Sequence, residues 1–131
     1  MILAATTKVR TRPQVFLSYS MSDRQLAAKV ALSLEDAGLR VVRPEDLEPG
    51  HEYSSAVRDG LLKSAAMVVV LTQNEMPASV LFEIGAAFGA EKPIFVVVDA
   101  PSTRLPFDAS KVRILPMSRV EEIADKLLSQ S

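Results

Sequence analysis

Hydrophobic residues follow two patterns along this chain. The segments 65–71 and 94–98 are apolar without interruption, which is typical of strands that a parallel sheet buries on both faces. Shorter, largely apolar segments at 15–18, 39–42 and 112–115 predict three further strands, the last of them weak. Between the strands, apolar residues recur every three or four positions, as on a helix with one buried face. The chain is therefore predicted to alternate strand and helix.

The helical spacing predicts four helices: about 23–37, about 53–62, a segment that contains Glu83 and ends before Pro93, and about 120–128. Ser22 and Asp23 are the expected N-cap residues of the first helix, and Gly38 is expected to end it. Gly85 and Gly89 lie within the third helix, where glycine is unfavourable. We expect both to be packing positions at which the helix backbone approaches the sheet.

Regular alternation of strands and helices predicts the α/β class. The expected fold is flavodoxin-like, with three layers, a five-stranded parallel sheet in the order 2-1-3-4-5 and helices on both faces. Residues 1–13 are expected to form a flexible leader, and residues 14–131 the folded domain. Ligands of such sheets bind at the carboxyl ends of the strands, near the switch point between the first and third strands. The functional residues are expected there.

Composition excludes several functions. Fifteen basic and sixteen acidic residues leave no net field for nucleic acid or an anionic membrane. The chain has no cysteine, and its one histidine is His51, so thiolate chemistry is excluded and a metal site or histidine-based triad is disfavoured. No apolar run is long enough to span a membrane. We expect a cytoplasmic protein without a metal.

Glu83 stands out because a carboxylate interrupts an apolar and small-residue run at 79–90. At helical spacing it shares its face with residues that cannot pair its charge: Val80, Ala86, Ala87 and Ala90. An unpaired buried carboxylate is costly, so this position suggests chemistry or access to a cleft. The alternative is a solvent-facing glutamate, or one paired with Arg43 or Lys63.

Known signatures of this fold class narrow the chemistry. The chain lacks a GxxxxGK[ST] phosphate loop, a GxGxxG loop after the first strand and a GxSxG elbow. The ends of the first and third strands carry hydroxyl residues, where a phosphorylation receiver needs acids. The remaining set is a carboxylate, neighbouring hydroxyls and a long loop. This set suits cleavage of a glycosidic bond through an oxocarbenium-like transition state.

Four segments in order resemble the TIR (Toll/interleukin-1 receptor) domain family in its bacterial form: 15–20 together with Asp23, 47–50, 62–65 and 79–83. The resemblance covers residues 14–130. It implies the flavodoxin-like fold and, for many bacterial and plant members, cleavage of NAD+ at the nicotinamide–ribose bond. NAD+ is then the substrate, and no cofactor is expected.

The resemblance also implies roles for individual residues. Glu83 matches the family's catalytic glutamate, Tyr19 and Ser20 match positions that line the nicotinamide-ribose pocket, and Gly50 lies in the loop that covers it. For the hydroxyls of Ser18, Tyr19 and Ser20, ribose contact and capping of the next helix remain equal alternatives.

Two positions depart from the family pattern. Ser79 stands where tryptophan is common, four residues before Glu83, and we expect it to line the substrate pocket. Arg43 stands where relatives often carry an acid. Its guanidinium could hold a dinucleotide phosphate by bidentate hydrogen bonds, or it could be a solvated loop charge.

The predicted function is that of an NAD+ nucleosidase that yields nicotinamide with ADP-ribose or a cyclic isomer. We expect it to act in bacterial immune signalling and to be activated by self-association through the loop 43–54 or with other TIR domains. One alternative is a non-enzymatic TIR adaptor or scaffold. Another is an N-deoxyribosyltransferase-like enzyme.

Overall fold

The computed structural model describes residues 12–44, 52–72, 76–100 and 112–129. Five parallel strands form one sheet: β1 (Gln14–Ser18), β2 (Arg40–Val42), β3 (Ala66–Leu71), β4 (Ile94–Val98) and β5 (Arg113–Pro116). Four α-helices accompany them: α1 (Arg24–Asp36), α2 (Tyr53–Leu62), α3 (Ala78–Gly89) and α4 (Glu121–Ser129). The strand order β2-β1-β3-β4-β5 confirms the predicted flavodoxin-like fold.

Strand β1 lies in the sheet between β2 and β3 and is parallel to both. The chain therefore passes from β1 to one neighbour, then crosses back to the other side of β1. This reversal produces the switch point at which open parallel sheets bind ligands. Ser18 is the last residue of β1 and stands opposite Val69 of β3, which places its side chain at that point.

Alternation along β1 assigns its side chains to the two hydrophobic layers. Val15 and Leu17 pack into the cluster that contains α1 and α4, whereas Phe16 packs into the cluster that contains α2 and α3. Because successive strand residues point to opposite faces, Ser18 shares the face of Phe16. Its hydroxyl is therefore directed toward α2 and α3.

The ends of two helices differ in detail from the prediction. Asp23 precedes α1, but its side chain makes no capping hydrogen bond to that helix. The hydroxyl of Ser20 instead accepts a hydrogen bond from the backbone N–H of Ser22, at the start of a short 3-10 turn. Helix α3 already ends at Gly89, four residues before the proline that was expected to stop it. Gly38 does end α1 as predicted, with φ of 106°, a conformation that side chains disfavour.

The packing role predicted for Gly85 and Gly89 is wrong. Both residues are exposed on α3, and a β-carbon added at either position would meet no atom within 4 Å. Helix α3 instead turns its larger residues, Val80 and Ile84, toward the sheet. The two glycines therefore weaken the helix without gaining close contact.

Replacing Gly85 by alanine is expected to stabilise the fold. The new methyl group meets open space, and alanine is better than glycine inside a helix by about 1 kcal/mol. Thermal unfolding should show a rise of a few degrees in Tm. An unchanged or lower Tm would mean that Gly85 has a role that the helix geometry does not show.

The assignment of residues 1–13 as a leader remains a prediction, because residues 1–11 lie outside the described part of the chain. Most of the predicted interface loop 43–54, including Gly50 and His51, also lies outside it. Among the helices that are described, none has the length and apolar character needed to cross a bilayer.

Candidate active site

Glu83 is buried at the switch point, with 2% of its surface exposed. Its Oε1 atom accepts a hydrogen bond of 2.6 Å from the Ser18 hydroxyl, and its Oε2 atom accepts one from the Tyr53 hydroxyl. Both carboxylate oxygens are therefore satisfied by neutral donors. The buried charge is hydrogen-bonded but not paired with a cation in these contacts.

The topology explains why these three residues meet. A helix that follows a parallel strand begins at the carboxyl edge of the sheet, where that strand ends. Tyr53 is the first residue of α2, and Glu83 lies in the first half of α3. Ser18 ends β1 on the face that these two helices cover. Three distant parts of the sequence thus supply one site.

Burial raises the pKa of the Glu83 carboxyl above its usual range, although the hydrogen bonds from Ser18 and Tyr53 oppose that shift. Burial also raises the pKa of the Tyr53 phenol, and the adjacent carboxylate raises it further. The phenol therefore stays protonated and acts as a donor. In this poorly solvated setting, the ionised carboxylate can stabilise positive charge more strongly than it could in water.

Tyr53, which donates to Oε2 of Glu83, lies partly at the surface. It is 45% exposed, and its ring lies 5.8 Å from that of Phe82, centroid to centroid. Phe82 also borders an open groove of about 450 Å³ between α2 and α3. The groove is lined by Ser54, Arg58, Leu61, Leu62, Phe82, Ala86, Gly89 and Ala90. The site thus adjoins a mainly apolar surface that carries one guanidinium.

A second buried carboxylate lies near the same edge. Asp23 is 6% exposed, and its Oδ1 atom accepts a hydrogen bond of 2.8 Å from the Thr72 hydroxyl. Thr72 follows β3 directly, so this bond connects the segment after β1 to the end of β3. Asp23 therefore stabilises the edge of the sheet at the switch point.

Of the predicted hydroxyl residues, Ser18 contacts Glu83 directly. Ser20 is half-buried, and its Oγ atom accepts a hydrogen bond from the backbone N–H of Ser22, so its hydroxyl caps the 3-10 turn before α1, in line with the capping alternative. Tyr19 packs against the hydrophobic cluster on the opposite face of the sheet from Glu83. In this structure, then, only the first of the three hydroxyls reaches the carboxylate.

Two of the other predicted site residues, Ser79 and Arg43, belong to the described part of the chain. Ser79 is exposed on the first turn of α3, one turn before Glu83. Arg43 is half-buried and follows β2 at the carboxyl edge of the sheet. Gly50 lies outside the described residues.

The alternative of a solvent-facing Glu83 is wrong, because the side chain is almost fully buried. The pairing partners considered for it, Arg43 and Lys63, are not the groups that the structure places on its oxygens. Tyr53 was missed as a site residue. Its place at the start of the helix after β2, on the same sheet face as α3, is a topological signal that could have identified it.

Residues 12–44, 52–72, 76–100 and 112–129 contain no cluster of side chains suited to binding a metal ion. No group of three or more histidine, aspartate or glutamate side chains is close enough there to hold a metal ion. The described residues that meet at the site are one buried carboxylate and two hydroxyl groups.

Solved structures with a similar fold include one receptor domain and two enzymes. The TIR domain of the Toll-related receptor TRR-2 from Hydra magnipapillata is 19% identical, with a TM-score of 0.64 over 88% of this chain and 94% of its own. A 2-deoxyribosyltransferase from Bacillus psychrosaccharolyticus is 14% identical, with a TM-score of 0.64 over 86% and 90%. The CMP N-glycosidase BcmB from Clostridium botulinum is 18% identical, with a TM-score of 0.57 over 87% and 97%.

At these identities the likeness shows a common fold. Among curated proteins, no sequence match was found. The family model described as the TIR domain matches residues 15–128, which include β2 to β5, all of β1 except Gln14 and all of α4 except Ser129. The chain therefore belongs to the TIR domain family.

Proposed function

We propose that this TIR domain cleaves the N-glycosidic bond of a nucleotide, with NAD+ as its substrate, and releases nicotinamide. The observation that carries the proposal is Glu83, a buried carboxylate held by two hydroxyl donors at the switch point. Such a group is costly to the fold, and the proposed reaction gives it a use.

In the proposed reaction, the bond between the ribose C1′ atom and the nicotinamide nitrogen breaks, and its electron pair goes to that nitrogen. The pyridinium becomes neutral nicotinamide, while the ribose becomes an oxocarbenium ion. Glu83 stabilises this cation through its negative charge. Water then adds to C1′ and loses a proton, which gives ADP-ribose, or the adenine ring adds instead and gives a cyclic isomer.

The chemistry of the leaving group favours NAD+ over an ordinary nucleoside. Nicotinamide leaves from a cation, so it needs no proton, whereas a neutral base leaves readily only when an acid protonates it. The groups that contact Glu83 are Ser18 and Tyr53, and the raised pKa of the Tyr53 phenol makes it a weak acid. This site is better suited to stabilising charge than to donating a proton.

Two of the similar structures are named for chemistry at a nucleoside's glycosidic bond, a CMP N-glycosidase and a 2-deoxyribosyltransferase. Their fold likeness supports this reaction class and leaves the sugar and base open. Transfer of a deoxyribosyl group is therefore the second candidate. The two reactions are separated by supplying labelled free base together with a deoxynucleoside. A transferase incorporates the label into the nucleoside, whereas an enzyme that only cleaves NAD+ leaves it in the free base.

We further propose that activity depends on self-association, through the segment 43–54 or with other TIR domains. The test is the release of nicotinamide from NAD+ over a range of protein concentrations, with rate per chain rising as the protein is concentrated. Absence of nicotinamide at every concentration, with no base exchange, would favour a non-enzymatic adaptor.

The acidic limb of the pH profile is a direct test of the carboxylate. Activity requires ionised Glu83, whose pKa burial raises above the ordinary value of 4.5. Tyr53 is the titratable group in contact with it, and its phenol stays neutral across this range. Measured from about pH 4 to about pH 8, kcat/KM should fall toward low pH with a midpoint above 4.5. A plateau that extends below that value would contradict the assignment.

A further inference from the structure

The two hydroxyl groups on Glu83 differ in how firmly they are held. Ser18 is fully buried at the end of β1, so its bond to Oε1 is shielded from solvent. Tyr53 is 45% exposed and lies on the first turn of α2. Of the two donors to Glu83, Tyr53 is therefore the more exposed residue.

The start of α2 is also weakly fixed. Its N-cap residue, Glu52, makes no side-chain capping bond, and its carboxylate instead accepts the Ser54 hydroxyl at 2.9 Å. Helix ends that lack a cap lose about 1 kcal/mol of stability, and such ends open more readily than the core. Within the described part of the chain, Tyr53 is held by its hydrogen bond to Glu83 and by the tilted contact of its ring with that of Phe82.

We propose that the Tyr53 hydroxyl is an internal stand-in for a substrate hydroxyl, which displaces it from Oε2 of Glu83 when a riboside binds. This rests on the proposed function for the identity of the sugar. Glu83 is 2% exposed, and its Oε2 atom already accepts the hydrogen bond of the Tyr53 hydroxyl, so a substrate hydroxyl can bond this oxygen in the same way only after the phenol has left. Tyr53 is thus a specificity-determining residue. Only a ligand with a hydroxyl donor of its own can replace the hydrogen bond that Oε2 of Glu83 loses when the phenol leaves.

The kinetic test is Tyr53→Phe, which keeps the ring beside Phe82 and removes the competing hydroxyl. We expect a roughly tenfold fall in KM for NAD+ with little change in kcat, since a hydrogen bond to a charged group is worth an order of magnitude or more in an equilibrium constant. Ser18→Ala removes the other hydroxyl and should not lower KM. A fall in kcat at unchanged KM in Tyr53→Phe would overturn the proposal and make Tyr53 part of the chemistry.

A second readout does not depend on turnover. The chain has two tyrosines and no tryptophan, so in a Tyr19→Phe variant the tyrosine absorption band at neutral pH reports Tyr53 alone. A phenol that donates to a carboxylate absorbs at longer wavelength than one in water, so saturating ADP-ribose should shift this band to shorter wavelength in the difference spectrum as the hydroxyl leaves Glu83. Tyr19→Phe combined with Glu83→Gln should show a shift in the same direction without ligand.

The two arms separate the inference from the proposed function. A shift with ADP-ribose in a protein that releases no nicotinamide would leave the displacement standing and remove the proposed NAD+ cleavage. Nicotinamide release without any shift, and with Tyr53→Phe kinetics like wild type, would overturn the displacement alone. Failure of both readouts would overturn both.

Discussion

Replacing Glu83 by glutamine is expected to reduce the rate of nicotinamide release by at least about 10²–10³-fold, the usual effect of removing one preorganised electrostatic group. Glutamine has nearly the same shape but no charge, so it cannot stabilise the oxocarbenium ion. The measurement is kcat/KM for NAD+ at neutral pH, with Gly85→Ala as a matched control on the same helix. Equal activity in Glu83→Gln and wild type would contradict the catalytic assignment.

Loss of activity in Glu83→Gln should not come from unfolding. The folded-state pKa of Glu83 is raised, so its favourable contribution to stability is present at low pH and is lost as pH rises through that pKa. A neutral amide avoids this loss, and the hydroxyls of Ser18 and Tyr53 can each donate or accept. At neutral pH the variant should therefore have a Tm equal to or above that of wild type. A markedly lower Tm would mean that the site needs the charge for folding.

Replacing Ser18 by alanine is expected to destabilise the fold by about 2–3 kcal/mol at neutral pH, because it removes a donor from a buried, charged acceptor. The hydroxyl is fully buried and lies 2.6 Å from Oε1 of Glu83. Its loss should also raise the pKa of Glu83 further, since this bond opposes the effect of burial. Urea denaturation gives the free energy of unfolding, and the acidic limb of kcat/KM should move to higher pH.

A double-mutant cycle isolates this bond from other effects of the substitution. In a Glu83→Gln background the same Ser18→Ala change should cost only about 1 kcal/mol, because the partner is then neutral. The difference between the two backgrounds is the coupling between hydroxyl and carboxylate. Equal costs in both backgrounds would show that Ser18 matters through packing and not through Glu83.

Much of the fold could be predicted because local patterns carry it. The uninterrupted apolar runs that became β3 and β4 require a doubly covered parallel sheet, and the strand order follows from how such sheets are wound. Helix ends were less certain. Asp23 was expected to cap α1, yet its carboxylate bonds Thr72, a residue 49 positions away that local sequence does not place beside it.

The sequence predicts Glu83, the central residue of the candidate site, but not the pair of hydroxyl groups that bond to it. An unpaired carboxylate on an apolar helix face identifies Glu83 from sequence alone. Its partners depend on tertiary contacts across 65 residues to Ser18 and 30 residues to Tyr53. Alternation in β1 directs Ser18 toward Glu83, whereas Tyr19, the residue after the strand, packs against the other layer. Gly85 was misjudged because helical spacing does not show whether a glycine meets a neighbour.

The most direct test of NAD+ cleavage at Glu83 is to follow NAD+ by proton NMR with concentrated wild-type protein and, in parallel, with Glu83→Gln. The spectra report loss of NAD+, appearance of nicotinamide and the form of the ribose product together. We expect free nicotinamide and ADP-ribose or a cyclic isomer with wild type, and unchanged NAD+ with the variant over the same period. Unchanged NAD+ with wild type, or equal conversion by both proteins, would contradict cleavage by this carboxylate.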